Sequence, residues 1–123
     1  RAPGMSAREL INGYQQIMAL REAAVAATQA FDFVISPTSP ILPYAADSAC
    51  PGDDPTNALP HIVFTLPWNM SEQPAASLNW NFSVDGLPIG VQVIGRRFDD
   101  RGVLRLSALL ESLRPVQHAW PLL

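Results

Sequence analysis

The hydrophobic pattern changes period several times along the chain, and each change marks a new element. Leu10, Ile11, Tyr14, Ile17, Met18 and Val25 recur at three- and four-residue intervals. That spacing gathers them on one side of an α-helix and predicts a helix over about residues 7–30, its stripe turned toward a core. Ser6 and Glu9 stand in the capping-box relation, in which each side chain reaches the other's backbone amide. The run FDFVI at 31–35 reads as a short buried strand. It stops at SPTSPILP, residues 36–43, because three prolines cannot donate to a ladder. Residues 43–60 carry no period and read as loop. In HIVFTLPWNMSEQP the apolar residues fit a short helix entered at Pro60, where a missing N–H costs nothing. Pro67 is expected to end or bend that helix, since it pushes residue 66 away from helical dihedrals.

The period then drops to two. Ala76, Leu78, Trp80 and Phe82 alternate with Ser77, Asn79 and Asn81, giving one apolar face and one amide-lined face. Asp85 and Gly86 separate this run from a second one, which is a hairpin signal with a loop longer than two residues. On the return strand Ile89, Val91 and Val93 share one face, and Gln92 and Ile94 the other. Gly90 and Gly95 allow another backbone to approach closely or let the strand bend. In RRFDD, residues 96–100, the strand leaves the core and the arginines meet water. Asp99 or Asp100 then caps a last helix against the positive end of its dipole. Val103, Leu106, Leu110 and Leu113 form the buried stripe of that helix, and Pro115 ends it. The apolar tail beyond either docks on other protein or frays.

Composition narrows the function. A length of 123 residues fits one domain, and 48% hydrophobic against 15% charged residues describes a globular chain poor in charge. The eight positive residues are all arginines, with no basic stripe among them, so no nucleic-acid partner is expected. No apolar run reaches membrane-span length and no signal-peptide pattern opens the chain, so no membrane partner is expected either. The chain starts on Arg1, as fits a piece of a longer polypeptide. Cys50, the one cysteine, allows no internal disulfide and reads as an ordinary loop thiol, which favours a reducing, cytoplasmic location. His61 and His118 have no carboxylate or hydroxyl at catalytic spacing, and there is no GxSxG elbow. Asp53 and Asp54 sit in a turn, and the glycines are scattered. No catalytic residue, metal site or cofactor is therefore expected within these residues.

Three motifs in order, FDFVISPTSP, TLPWNMSEQPAAS and DGLPIGVQVIGRRFDD followed by an apolar helix, resemble the C-terminal part of amidase signature enzymes. The resemblance covers roughly residues 30–113 and is most specific over 65–100. It implies an α/β fold, a mixed β-sheet flanked by helices, met here as helix, strand, short helix, β-hairpin and helix. Residues 1–123 would be the C-terminal segment of a single amidase domain whose catalytic N-terminal part lies outside them. The implied activity is hydrolysis of carboxamides, with a small-molecule amide as the partner. In that family one serine attacks the carbonyl, a second relays a proton, and a lysine is the base behind them. This chain has no lysine and no Gly-Ser-Ser-Gly run, so none of the triad carries over.

What the resemblance does carry over is pocket wall. In relatives the helix before the PAAS strand lines the acyl-binding cavity, and the matching positions are Leu59, Ile62 and Leu66, with Trp68 next. Ordinary core is the other reading of these side chains. Glutamine-dependent amidotransferases place an acidic residue at the position of Ile62, so isoleucine there favours an apolar or aromatic amide. The family pattern G-x-P-A-x-S-x-P-x-G is broken by Glu72, Asn79 and Asn81. The two asparagines either bond neighbouring backbone or reshape the cavity. Two alternatives stay open: a non-catalytic binding or assembly module built from the amidase fold, and a fragment of the A subunit of a glutamyl-/aspartyl-tRNA amidotransferase. Strands belonging to a larger sheet leave edges unpaired, so the isolated chain is expected to self-associate.

Overall fold

Ser6 accepts from the Glu9 amide at 3.3 Å, and the Glu9 carboxylate accepts from the Ser6 amide at 2.7 Å. This closed capping box starts helix α1 (Ala7–Thr28) in the computed structural model, which describes residues 4–114. Then follow strand β1 (Phe33–Pro37), helix α2 (Leu66–Ser71), strands β2 (Ala75–Phe82) and β3 (Pro88–Gly95), and helix α3 (Asp100–Leu113). The α/β class and the order of elements agree with the sequence pattern. The loop between β1 and α2 winds through three single 3-10 turns, each opened by a proline: Pro51–Asp53, Pro55–Asn57 and Pro60–Ile62.

β3 is the middle strand, with β1 and β2 antiparallel on its two sides. Val34 lies opposite Ile94, and Leu78 opposite Val91. A register shift between Asn79 and Asn81 takes Trp80 out of the pairing, a bulge that bends β2. With neighbours on both edges, β3 buries both of its faces at its far end: Gln92, Val93 and Ile94 are all at most 2% exposed. On one face Leu78 and Val93 pack with Val103 of α3, and Phe33, Ala76, Leu106 and Leu110 surround them. Gly95 is required where α3 returns, since a Cβ there would sit 2.7 Å from a Val103 methyl. Asp99 caps α3 by accepting from the Gly102 amide at 3.0 Å. The two arginines of the exit turn find carboxylates: Arg96 pairs with Asp32 at 3.2 Å, and Arg97 with Glu72.

Four expectations need correction. The stripe of α1 does not meet a core within these residues: Leu10, Ile11, Tyr14, Ile17 and Met18 are exposed, and Ala24 is the one buried residue of the helix. β1 is an edge strand, half-buried rather than buried, because nothing among the described residues pairs its outer side. Pro67 starts α2 instead of ending a helix. In the first turn its missing N–H is one that has no intrahelical partner anyway. Leu113 is 64% exposed, so the stripe of α3 that packs on the sheet ends at Leu110. The tail beyond Arg114, with His118, lies outside the described residues.

Candidate functional site

Leu59, Ile62 and Leu66 come together around an open hollow of about 450 Å³, joined by Ala58, Pro60 and Val63. A 3-10 turn and the start of α2 make this possible. The Ile62 amide bonds the Leu59 carbonyl at 3.0 Å, and the Thr65 amide bonds the Ile62 carbonyl at 3.0 Å. Trp68 is not with them. It borders a separate hollow of about 340 Å³ with Asn69, Glu72, Phe98 and Asp100, and its indole N–H is buried without a partner.

A larger groove, about 490 Å³, lies between the 38–44 segment and the β2–β3 hairpin. Sequence reasoning passed over it, taking SPTSPILP only as a strand stop. Its floor is built by close approach: the Thr38 amide donates to the Gly90 carbonyl at 3.0 Å. A Cβ on Gly90 would lie 2.8 Å from Thr38 Oγ1, so only glycine permits the crossing. Over it, the Thr38 and Ser77 hydroxyls bond each other at 2.8 Å. Ser39 Oγ donates to the His61 carbonyl at 3.2 Å, and the Tyr44 ring stands edge-on to His61, centroids 5.8 Å apart. His61 Nδ1 and Asn79 Oδ1 are buried in the wall without partners. The two asparagines thus divide: Asn79 lines the groove, while Asn81 Oδ1 accepts from the Phe82 amide at 2.8 Å.

Two buried glutamines hold the surrounding chain. The Gln92 amide nitrogen donates to the Phe64 carbonyl at 2.6 Å and to Ser36 Oγ at 2.9 Å, tying the segment before α2 to β1. Gln73 donates to the Gly95 carbonyl at 3.0 Å and to Thr28 Oγ1 at 3.3 Å, and it accepts from Ser71. Glu72 takes one arginine on each carboxylate oxygen, Arg21 from α1 and Arg97 from the exit turn.

Of the two titrating groups with displaced pKa values among the described residues, Glu9 lies away from all three hollows, while Asp54 bonds Thr56 at the edge of the Leu59 hollow. Hydrogen bonds from the Ser6 side chain and then its amide hold Glu9 below the usual carboxylate value. Thr56, by hydroxyl and then amide, does the same to Asp54. Cys50 is a buried free thiol. Among the described residues no three His, Cys, Asp or Glu side chains gather as metal ligands, and no helix is long and apolar enough to cross a membrane. The groove therefore offers walls, hydroxyls and an imidazole, the Leu59 hollow mostly apolar wall, and the Trp68 hollow the carboxylates of Glu72 and Asp100. No carboxylate or amine lines the groove.

The family model described as Amidase matches residues 3–104. The A subunit of the glutamyl-tRNA(Gln) amidotransferase of Thermodesulfovibrio yellowstonii is 37% identical over 92 residues, covering 75% of this chain and 19% of that protein. A putative amidase AmiB2 of Mycobacterium tuberculosis is 48% identical over 54 residues, 44% of this chain and 12% of that protein. Among solved structures, the A subunit of the glutamyl-tRNA(Gln) amidotransferase of Thermotoga maritima superposes with a TM-score of 0.74 at 28% identity, over 91% of this chain and 25% of its own. A bacterial aryl acylamidase of the amidase signature family gives a TM-score of 0.76 at 25% identity, over 91% and 24%. The chain spans less than a fifth of the length of these curated relatives.

Proposed function

Because the chain belongs to the Amidase family, we propose that it is the C-terminal segment of a single amidase domain, supplying scaffold and pocket wall to an amide hydrolase. The reaction on this reading turns a carboxamide and water into a carboxylic acid and ammonia or amine. The Ser–Ser–Lys triad comes from polypeptide outside these residues, since the chain contains no lysine. The observation that carries the proposal is the family match over residues 3–104, supported by superposition of 91% of the chain on a quarter of an amidase signature enzyme. Leu59, Ile62 and Leu66 serve as the wall against the acyl part of a small-molecule amide, and Trp68 stands on a neighbouring face.

A second reading, a fragment of the A subunit of an amidotransferase, draws on the 37% identity to such subunits. The hollow weighs against it. Leu59, Ile62 and Leu66 present no charge to meet the ammonium and carboxylate of glutamine, and desolvating those ions without partners is costly. The test is to express these residues joined to the preceding part of their coding sequence and assay neutral aromatic amides and glutamine. Neutral amides should turn over, and Ile62→Asp should lower their kcat/KM by at least about tenfold. Preference for glutamine, or no hydrolysis of any amide by the well-folded joined polypeptide, overturns the proposal.

A further inference from the structure

We propose that the groove between the 38–44 segment and the hairpin binds an uncharged primary aryl or short-acyl carboxamide, and that the Thr38–Ser77 hydroxyl pair reads its amide group. The substrate class rests on the amide-hydrolase reading above; the site itself does not. Its volume of about 490 Å³ suits a small organic molecule. Ile41, Leu42 and Ile89 with three prolines make the walls, and no carboxylate, lysine or arginine lines them. A carboxylate or zwitterion entering this groove would shed water with no guanidinium, ammonium or carboxylate to replace it, so both are disfavoured.

The polar floor has a matching specificity. Each hydroxyl has one proton to give and two lone pairs to receive. The 2.8 Å bond between Thr38 and Ser77 uses one proton and one lone pair. One proton and further lone pairs remain, so the pair can donate to a carbonyl oxygen and accept from an N–H together. A primary carboxamide presents those two groups side by side, its carbonyl oxygen and the N–H cis to it. The pair is held in place by the backbone bond from Thr38 to Gly90 and by the missing Cβ of Gly90. The edge-on Tyr44 and His61 rings give an aromatic substituent a surface to pack on.

The 123-residue chain is titrated with benzamide, benzoate and glutamine, read by saturation-transfer NMR and calorimetry. Benzamide should bind with millimolar affinity, and the two charged probes at least about tenfold more weakly. Thr38→Val and Ser77→Ala should each weaken benzamide several-fold with the circular-dichroism spectrum unchanged. Leu42→Lys, at an exposed loop position, should reverse the order in favour of benzoate. Leu104→Ala, on the exposed side of α3, should change nothing. Equal binding of the charged probes, no saturable binding, or sensitivity to Leu104→Ala but not Thr38→Val overturns the assignment. That failure leaves the hydrolase reading intact, because turnover by the longer polypeptide decides it separately.

Discussion

Glu72 concentrates several physical effects in one side chain. It follows α2 in a left-handed backbone conformation, φ 58°, where a residue with a Cβ is strained by about 1 kcal/mol and glycine is not. That geometry explains why the resemblance puts glycine at this position. What the glutamate gains is a carboxylate shared by Arg21 and Arg97, linking α1, α2 and the turn before α3. Ion pairs this exposed stabilise by less than about 1 kcal/mol each, so strain and pairing nearly offset. Glu72→Gly should therefore leave urea stability nearly unchanged, whereas Glu72→Gln, which keeps the strain and loses the charge, should lower it by about 1 kcal/mol. A Gln variant as stable as the wild type would show that the two arginines contribute nothing. Among single residues, a cap at Asp99 or Asp100 was legible because capping chemistry is local, and Asp99 is the one that holds the Gly102 amide. The bridging role of Glu72 was not, since Arg21 lies 51 positions away.

At the scale of elements, α1 shows what a hydrophobic period does and does not report. The three- and four-residue spacing correctly located the helix. Its burial was wrongly expected, because spacing describes a face made for packing and not whether the partner lies among these residues. α1 meets α2 in its second half, where Arg21 donates to the Met70 carbonyl at 3.1 Å. Amides in the second half should exchange with solvent more slowly than those at 11–18, as hydrogen-exchange NMR can check; uniform protection would contradict this packing. Acid should act on the other end. Glu9 is held below its usual value by Ser6, so the stabilisation it gives the folded helix is present above the unfolded-state pKa. It is lost as pH falls through the lower folded-state value. A side-chain titration of Glu9 should show its midpoint below the usual glutamate value, and Ser6→Ala should move it back up. Pro67 was misread for a related reason: proline marks a helix boundary, but a single sequence does not say which side of it the helix occupies.

Across the whole molecule the hairpin and α3 enclose the one well-buried cluster among the described residues. Val93→Ala should cost about 2 kcal/mol in urea unfolding, as loss of methyl groups from a closed core does. Elsewhere the apolar face of α1 and the outer side of β1 stay open, so the isolated chain should associate with itself as concentration rises. Sedimentation velocity showing a monomer at high concentration would contradict that. The hairpin and last helix could be read from local alternation and capping. The groove could not, because Thr38, His61, Ser77 and Gly90 meet only once β1 and β2 have paired with β3.

We propose that these residues shape and support a pocket while the reactive hydroxyl and its base come from polypeptide outside them. Ammonia or amine release from neutral carboxamides by the purified 123-residue chain measures this directly. The expected result is no release above buffer, with turnover appearing once a segment carrying the serines and lysine is joined. Turnover by the chain alone, abolished by one substitution within residues 4–114, would contradict it.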